Sequence, residues 1–426
     1  MEPIRPSHRP EHSAESSRSS SERAGTDRSA EPLWIGEEDR YARLRMIGWW
    51  DQQRLADAKV LVVGAGALGN EVLKNLALLG IGQIRVIDFD TIELSNLSRS
   101  VLFRPEHQGR SKAEVAAEMA AQLNPDCWIV GAEADVLTDL GLGLVDSADV
   151  VICCVDNREA RLWINRLCWK VGTPWIDGGI QEINGVAKVF VPPHGSCYEC
   201  AMTENDYRLI QLRYSCPLLR REDLQQGKVP TAPTIASIVG GLQVQEALKL
   251  LHGLPSAEGT ALVFNGVANR FYQTRYPRRE DCLSHETYEE IIDAPFESRL
   301  HTARQLFDWL EQTEHFSATG LELDRDLVAR LCCDRCNHQQ EIHRPAATVT
   351  HAESLCRSCN QPRRPEMLNE IPRDSRLIDR PLRELGIPDF DIVRLRNEND
   401  CRFLCLQGDS SLGWKEPAAR RKRIGE

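Results

Sequence analysis

The chain has 426 residues, a formal net charge of −11 and an apolar share of 42%. That length accommodates one large domain with one or two small ones, and the apolar share is that of an ordinary soluble protein. The charge excludes the overall basic field that drives nonspecific nucleic-acid binding, so no nucleic-acid partner is expected.

Residues 1–31 are rich in Ser, Glu, Arg and Pro and nearly free of apolar side chains. Such a segment cannot bury enough surface to offset the entropy of ordering, and a disordered tail over 1–38 is expected. The tail has no signal-peptide core and no run elsewhere reaches a membrane span, so a cytoplasmic protein without a membrane partner is expected. The apolar run Lys59–Val63 leads into Gly64-Ala-Gly-Ala-Leu-Gly69, which reads as a buried parallel strand turning into a helix. Gly64, Gly66 and Gly69 let backbone amides approach a phosphate, and the helix N-terminus favours its charge. Asp88, roughly 20 residues on, stands where an acidic residue commonly holds a ribose hydroxyl. These features alone fit NAD-, FAD- and ATP-binding folds equally.

The next stretch narrows the chemistry. Thr91–Phe103 carries Ser95, Asn96 and Arg99, and Gly109–Lys112 adds a second cation. A dinucleotide dehydrogenase needs no Arg and Lys converging on phosphates, whereas nucleotidyl transfer does, because charge develops on phosphate oxygens. Val150–Asn157 places Asp156 and Asn157 at the C-terminal end of a buried strand, where an Asp can hold magnesium. No GxxxxGK[ST] is present, so the chain is not a P-loop enzyme.

The ordered set GxGxxG, Asp88-Phe-Asp90, Ser95-Asn-Leu-Ser-Arg99, Lys112 and Asp156-Asn157 resembles the ThiF/MoeB/ubiquitin-activating-enzyme superfamily. Arg40-Tyr-Ala-Arg43 resembles its N-terminal RYxRQ element, with Leu44 replacing the Gln, and the likeness runs from about Asp39 to His285. The resemblance implies a Rossmann-like α/β adenylation domain over 39–285 that binds ATP and Mg2+. Gly64, Gly66, Ala67, Gly69, Asp88, Asp90, Ser95, Asn96 and Asn157 would line the nucleotide. Asp88 would bind ribose, Asn96, Arg99 and Lys112 would surround the triphosphate, and Asp156 would coordinate magnesium. Arg43 would reach the ATP site of a second subunit, which implies a homodimer.

Fifteen cysteines in a chain without a secretion signal point to metal and thiol chemistry rather than disulfides. Cys197 and Cys200 form a tight knuckle, and Cys282 and His285 can complete a four-ligand zinc site. The superfamily has a second CxxC there, so His285 departs from its pattern while preserving ligand chemistry. Cys333, Cys336, Cys356 and Cys359 are paired knuckles 19 residues apart, close to zinc-ribbon spacing. Two structural Zn2+ sites are therefore expected. Cys332 adjoins the first of these knuckles and competes with it for register.

Cys216 lies between the first knuckle and an apparent helix over 235–251, within a crossover loop near 201–234. In ubiquitin-activating relatives this segment carries the thioester cysteine. A thiolate suits an acyl-adenylate acceptor, and Arg213, Arg220 and Arg221 stand near it in sequence. Beyond the adenylation domain, 286–330 is expected as a helical linker, with Leu306, Phe307, Trp309 and Leu310 on one helix face. A zinc ribbon over 331–362 and a small α+β module over 363–426 follow, the latter with a hairpin at 389–406 and a basic tail at 420–423.

The expected activity is ATP-dependent adenylation of the C-terminal carboxylate of a ubiquitin-like protein ending in Gly. Thioester formation on Cys216 and transfer to a ubiquitin-conjugating-type enzyme would follow, in a compact prokaryotic-type system. The alternatives are a ThiF/MoeB-like sulfur-carrier activator without a thioester, a noncatalytic nucleotide-binding zinc scaffold and, more distantly, a nicotinamide dehydrogenase.

Overall fold

In a computed structural model, residues 39–208, 230–409 and 413–415 are described. The described residues are organised around two sheets. The first has eight strands in the order β3-β2-β1-β4-β5-β6-β7-β8. Strands β1 (Lys59–Val63), β2 (Gln83–Asp88), β3 (Trp128–Glu133), β4 (Val150–Cys153) and β5 (Trp175–Gln181) run parallel. Strands β6 (Asn184–Phe190), β7 (Thr260–Asn265) and β8 (Arg270–Arg275) extend the sheet antiparallel.

A parallel strand covered on both faces must be apolar on both. In β1, Val60 and Val62 enter one core with Leu73, Leu76 and Val239. Leu61 and Val63 enter the opposite core with Val145, Ile164 and Leu167. The first core belongs to helices α2 (Ala67–Leu79), α3 (Lys112–Leu123) and α6 (Pro233–His252), which follow the short α1 (Gln52–Asp57). The second belongs to α4 (Leu142–Asp146) and α5 (Arg158–Val171). Strand order reverses between β1 and β4, which opens a crevice at their carboxyl ends, the usual ligand position in such sheets. Among the described residues no helix is long and apolar enough to cross a membrane.

The second sheet, β11-β10-β13-β14-β9 with β12 also on β10, is built from 291–407. Its strands are β9 (Ile291–Glu297), β10 (Gly320–Cys332), β11 (Gln339–Pro345), β12 (Arg364–Pro372), β13 (Ile392–Arg396) and β14 (Cys401–Gln407). Helix α7 (Ala303–Thr313) covers it, burying Leu306, Phe307 and Leu310 and half-burying Trp309.

This corrects the expectation of a helical linker over 286–330. That segment holds β9, α7 and most of β10. Ala294, Phe296, Leu321 and Leu327 are core residues, and β9 pairs in parallel with β14 near the other end of the chain. Strand β10 also crosses the boundary expected at 330/331, and β12 pairs with it from beyond the boundary at 362/363. The ribbon and the C-terminal module therefore share one sheet.

Arg325 ties the two sheets together. Its guanidinium donates to the carbonyls of Leu137 (2.8 Å) and Leu140 (2.6 Å) and to Asp391 (2.9 Å), and it lies over the Trp163 ring. Asp391 in turn accepts from the Leu142 N–H at 2.9 Å. Burial pushes the Asp391 carboxyl upward, and the Arg325 charge opposes that shift. Arg325→Ala is expected to cost about 3–5 kcal/mol at neutral pH, because it strands a buried charge. Without the arginine, the folded pKa of Asp391 rises further above its unfolded value. Stability is then lost as pH rises from the unfolded value toward the folded one. Urea unfolding should therefore show a smaller penalty near pH 4, about the unfolded Asp value, than at neutral pH.

Candidate functional site

The carboxyl edge of the first sheet gathers the nucleotide-type residues. Gly64 leaves β1 at φ +98°, and an added Cβ would sit 2.7 Å from the Cys154 carbonyl oxygen, so only glycine fits. Gly66 caps α2 without a side-chain hydrogen bond. No side-chain cap therefore occupies the first-turn N–H groups of this 13-residue helix, whose partial positive charge favours an anion. Ala67 and Gly69 form that first turn.

Asp88 ends β2 beneath this loop. Its carboxylate accepts from the N–H of Ala65 at 2.7 Å and of Asp90 at 2.8 Å. Burial raises its pKa, opposed by the Lys112 charge and these two bonds. Lys112 opens α3, and its Nζ lies 2.7 Å from the Asp90 carboxylate. The structure thus brings Asp88, Asp90 and Lys112 together at the mouth of the glycine loop.

The Leu94–Asn96 turn carries the next group. Asn96 is buried, and its Oδ1 accepts from the Glu93 N–H at 3.0 Å. The Ser95 hydroxyl donates to Glu93 (3.0 Å), and the half-buried Arg99 donates to the Ser95 carbonyl (2.8 Å). Asp156 is exposed just past β4, and Asn157 caps α5 by accepting from the Ala160 N–H at 2.8 Å. Arg43 is exposed on a segment anchored by Arg40 to the Leu123 carbonyl and by a 2.6 Å bond from Asn124 to the Tyr41 hydroxyl. Cys216 and its neighbours Arg213, Arg220 and Arg221 lie outside the described residues.

Arg161 is a site residue that sequence reasoning missed. Its Nε donates to Asp177 at 2.8 Å, and its Nη2 donates to the carbonyls of Val155 (2.6 Å) and Gly178 (3.0 Å). Burial alone would lower its pKa, but the Asp177 charge and hydrogen bond, together with Cys153 and Tyr198, outweigh burial and hold it cationic. Arg161 therefore fixes the backbone immediately before Asp156. Its signal was an arginine one turn into a helix whose neighbours Ala160, Leu162 and Ile164 are core residues.

Two further clusters have the chemistry of metal sites. Cys197 Sγ lies 3.7 Å from Cys200 Sγ and 3.5 Å from Cys282 Sγ, and His285 Nε2 lies 3.3 Å from Cys200 Sγ. Four donors around a zinc at 2.3 Å would stand about 3.8 Å apart, whereas a disulfide needs about 2.05 Å. The donor set therefore fits a tetrahedral ion. The His285 ring stacks on Trp169 at 4.3 Å, with Arg278 over the same indole. Burial and the Arg278 charge lower the His285 pKa, which favours the neutral, ligating imidazole.

In the second cluster, Cys333 Sγ is 3.5 Å from Cys359 Sγ, and Cys336 Sγ is 3.5 Å from Cys356 Sγ. Its two knuckles repeat one geometry. Asn337 and Asn360 have φ of 55° and 53°, and each donates its N–H to the carbonyl of the first cysteine of its knuckle, at 2.9 and 2.8 Å. In each cluster the four donor atoms lie within 4.8 Å of one another. Cys332 is not among them: it donates to Glu366, which settles the register. Cys153, Cys154 and Cys168 are buried, and burial raises all three thiols.

Residues 38–284 match the ThiF family. The chain is 30% identical over 232 residues to the sulfur carrier protein ThiS adenylyltransferase of Escherichia coli strain K12, covering 54% of this chain and 87% of that protein. It is 33% identical over 254 residues to the SAMP-activating enzyme E1 of Haloferax volcanii, covering 57% and 87%. Its structure resembles that of E. coli MccB crystallised with ATP, with a TM-score of 0.50 and 26% identity, covering 59% of this chain and 74% of that one. The second sheet lies beyond the residues that match the family.

Proposed function

The chain therefore belongs to the ThiF family, and from that premise we propose that it adenylates the C-terminal carboxylate of a ubiquitin-like carrier protein and then takes the acyl group onto Cys216. The observation that carries this reading is the meeting of Asp88, Lys112 and the uncapped N-terminus of α2 at one sheet edge. That arrangement offers a ribose acceptor, a cation and a phosphate cradle within one crevice.

In the proposed reaction, a carboxylate oxygen of the carrier attacks the α-phosphorus of ATP. The bond from that phosphorus to the bridging oxygen of the β-phosphate breaks, and pyrophosphate leaves. Arg99 and Lys112, joined by Arg43 from a second copy, meet the negative charge that grows on the phosphate oxygens. The remaining contribution is positioning, which suffices when nucleophile and phosphorus are held in line. Asp156 would hold magnesium, with Arg161 fixing the backbone beside it. Bound magnesium would neutralise part of the triphosphate charge.

The Cys216 thiolate then attacks the acyl carbon, AMP departs with the electrons of the acyl–phosphate bond, and a thioester results. Zinc at the two clusters would be structural, since four protein ligands leave no open position.

Similarity to a ThiS adenylyltransferase favours a second reading, activation of a sulfur carrier without the thioester. Nonreducing gels decide between the two. The chain, Mg-ATP and a carrier ending in Gly should give a thiol-sensitive adduct that Cys216→Ala abolishes while pyrophosphate exchange persists. Exchange with no such adduct in the unaltered chain assigns the protein to the second reading.

A further inference from the structure

Asn70 is an oddity in α2. Asparagine is a poor helix former because its amide competes for backbone partners, yet here it occupies the first turn at zero exposure. Its competing bonds are put to use. Nδ2 donates to the Ala65 carbonyl at 2.8 Å and the Gly66 carbonyl at 3.0 Å, both in the glycine loop. Oδ1 accepts from the Leu102 N–H at 2.9 Å, 32 residues along the chain.

Leu102 and its neighbour Phe103 are anchored in the core. Arg99 lies three residues before Leu102, in a stretch of short turns in which the Arg99 N–H donates to Asn96 and the Phe103 N–H to Ser100. One buried amide thus joins two segments that share no strand pairing: the loop of the phosphate cradle and the turn bearing Arg99.

We propose that Asn70 is a positioning residue that sets the register of the Arg99 turn against the glycine loop, so that both reach the same polyphosphate. The inference rests on the nucleotide reading given above, and a double-mutant cycle separates the two. The probe is MgATP, titrated calorimetrically into the full chain, into Asn70→Ala, into Arg99→Ala and into the double variant. Thr173→Val serves as a folding control, because it also removes a buried hydrogen bond, to the Val145 carbonyl, at the opposite edge of the sheet.

Asn70→Ala should weaken MgATP binding roughly tenfold, the loss expected from a buried hydrogen bond whose partners are misplaced. In the Arg99→Ala background the same change should have little further effect, and Thr173→Val should bind as the unaltered chain does. Equal losses in both Arg99 backgrounds, or unchanged binding by a folded Asn70→Ala, would overturn the assignment. Should Asn70→Ala fail to fold, Asn70→Ser gives the same readout, since its hydroxyl can back-bond within the helix but is too short to bridge to Leu102. If the folded, unaltered chain binds no MgATP, the nucleotide reading falls first and this one with it.

Discussion

Lys112→Ala is expected to lower carrier-dependent ATP–pyrophosphate exchange by roughly 10^2–10^3-fold, the usual loss when a preorganised charge partner of a transition state is removed. The fold should survive the change. The ion pair joins a largely buried Lys112 side chain (13% exposed) to an Asp90 carboxylate that is 46% exposed, so its loss should cost on the order of 1 kcal/mol, small against the roughly 5–15 kcal/mol that holds a domain. A buried lysine serving stability alone would give the reverse pattern, a lower melting temperature with activity preserved in the folded fraction. Exchange rates and thermal melts of the same preparation separate the two. Asp156→Ala should behave similarly, since the carboxylate is exposed and little packing is lost with it.

Loss of metal should have the largest effect on stability. Structural zinc contributes about 10–16 kcal/mol in isolated finger peptides, comparable to the roughly 5–15 kcal/mol that holds a whole domain. The two clusters should respond differently because different cores surround them. The first packs with Trp169 of α5, the helix that also carries Arg161. Cys282→Ser should therefore unfold the chain at room temperature and abolish nucleotide binding.

The second cluster lies beside a small core of Val328, Leu331 and Val349. Cys356→Ser should lose the ribbon locally while keeping ATP binding. Metal analysis should give two zinc ions per unaltered chain and one in Cys356→Ser, with melting curves showing whether the loss stays local. A chain that binds ATP and melts unchanged after complete chelation would refute a structural role for either cluster.

What the sequence made legible was local in its physics. The entry of β1 into Gly64–Gly69 shows in four apolar residues and three glycines, because a two-sided parallel strand and a positive φ leave few other choices. Knuckle spacing was legible for the same reason: two thiols two residues apart already fix half of a tetrahedron. Asn337 and Asn360 take the positive φ of the turns that follow, a conformation asparagine tolerates.

What escaped was set by distant partners. The pairing of β9 with β14 joins Ile291 to Phe403, and nothing at either strand announces the other. The helical spacing of 302–311 therefore drew its flanks into a supposed linker, although the alternation in Gly320–Leu327 is that of a half-buried strand. Asn70 and Arg161 escaped for a related reason. Each acts partly through a backbone group that becomes a neighbour only after folding, the Leu102 N–H for Asn70 and the Gly178 carbonyl for Arg161, so no motif records them.

The central claim is that the carboxylate of a carrier protein attacks the α-phosphate of ATP in this crevice. The most direct test incubates the unaltered chain with Mg-ATP and ubiquitin-like proteins ending in Gly, and follows exchange of labelled pyrophosphate into ATP. Exchange that depends on the carrier's terminal carboxylate and is lost in Lys112→Ala is the predicted result. ATP binding in which no carboxyl-terminated carrier supports exchange, or exchange unaffected by Lys112→Ala, would contradict the account.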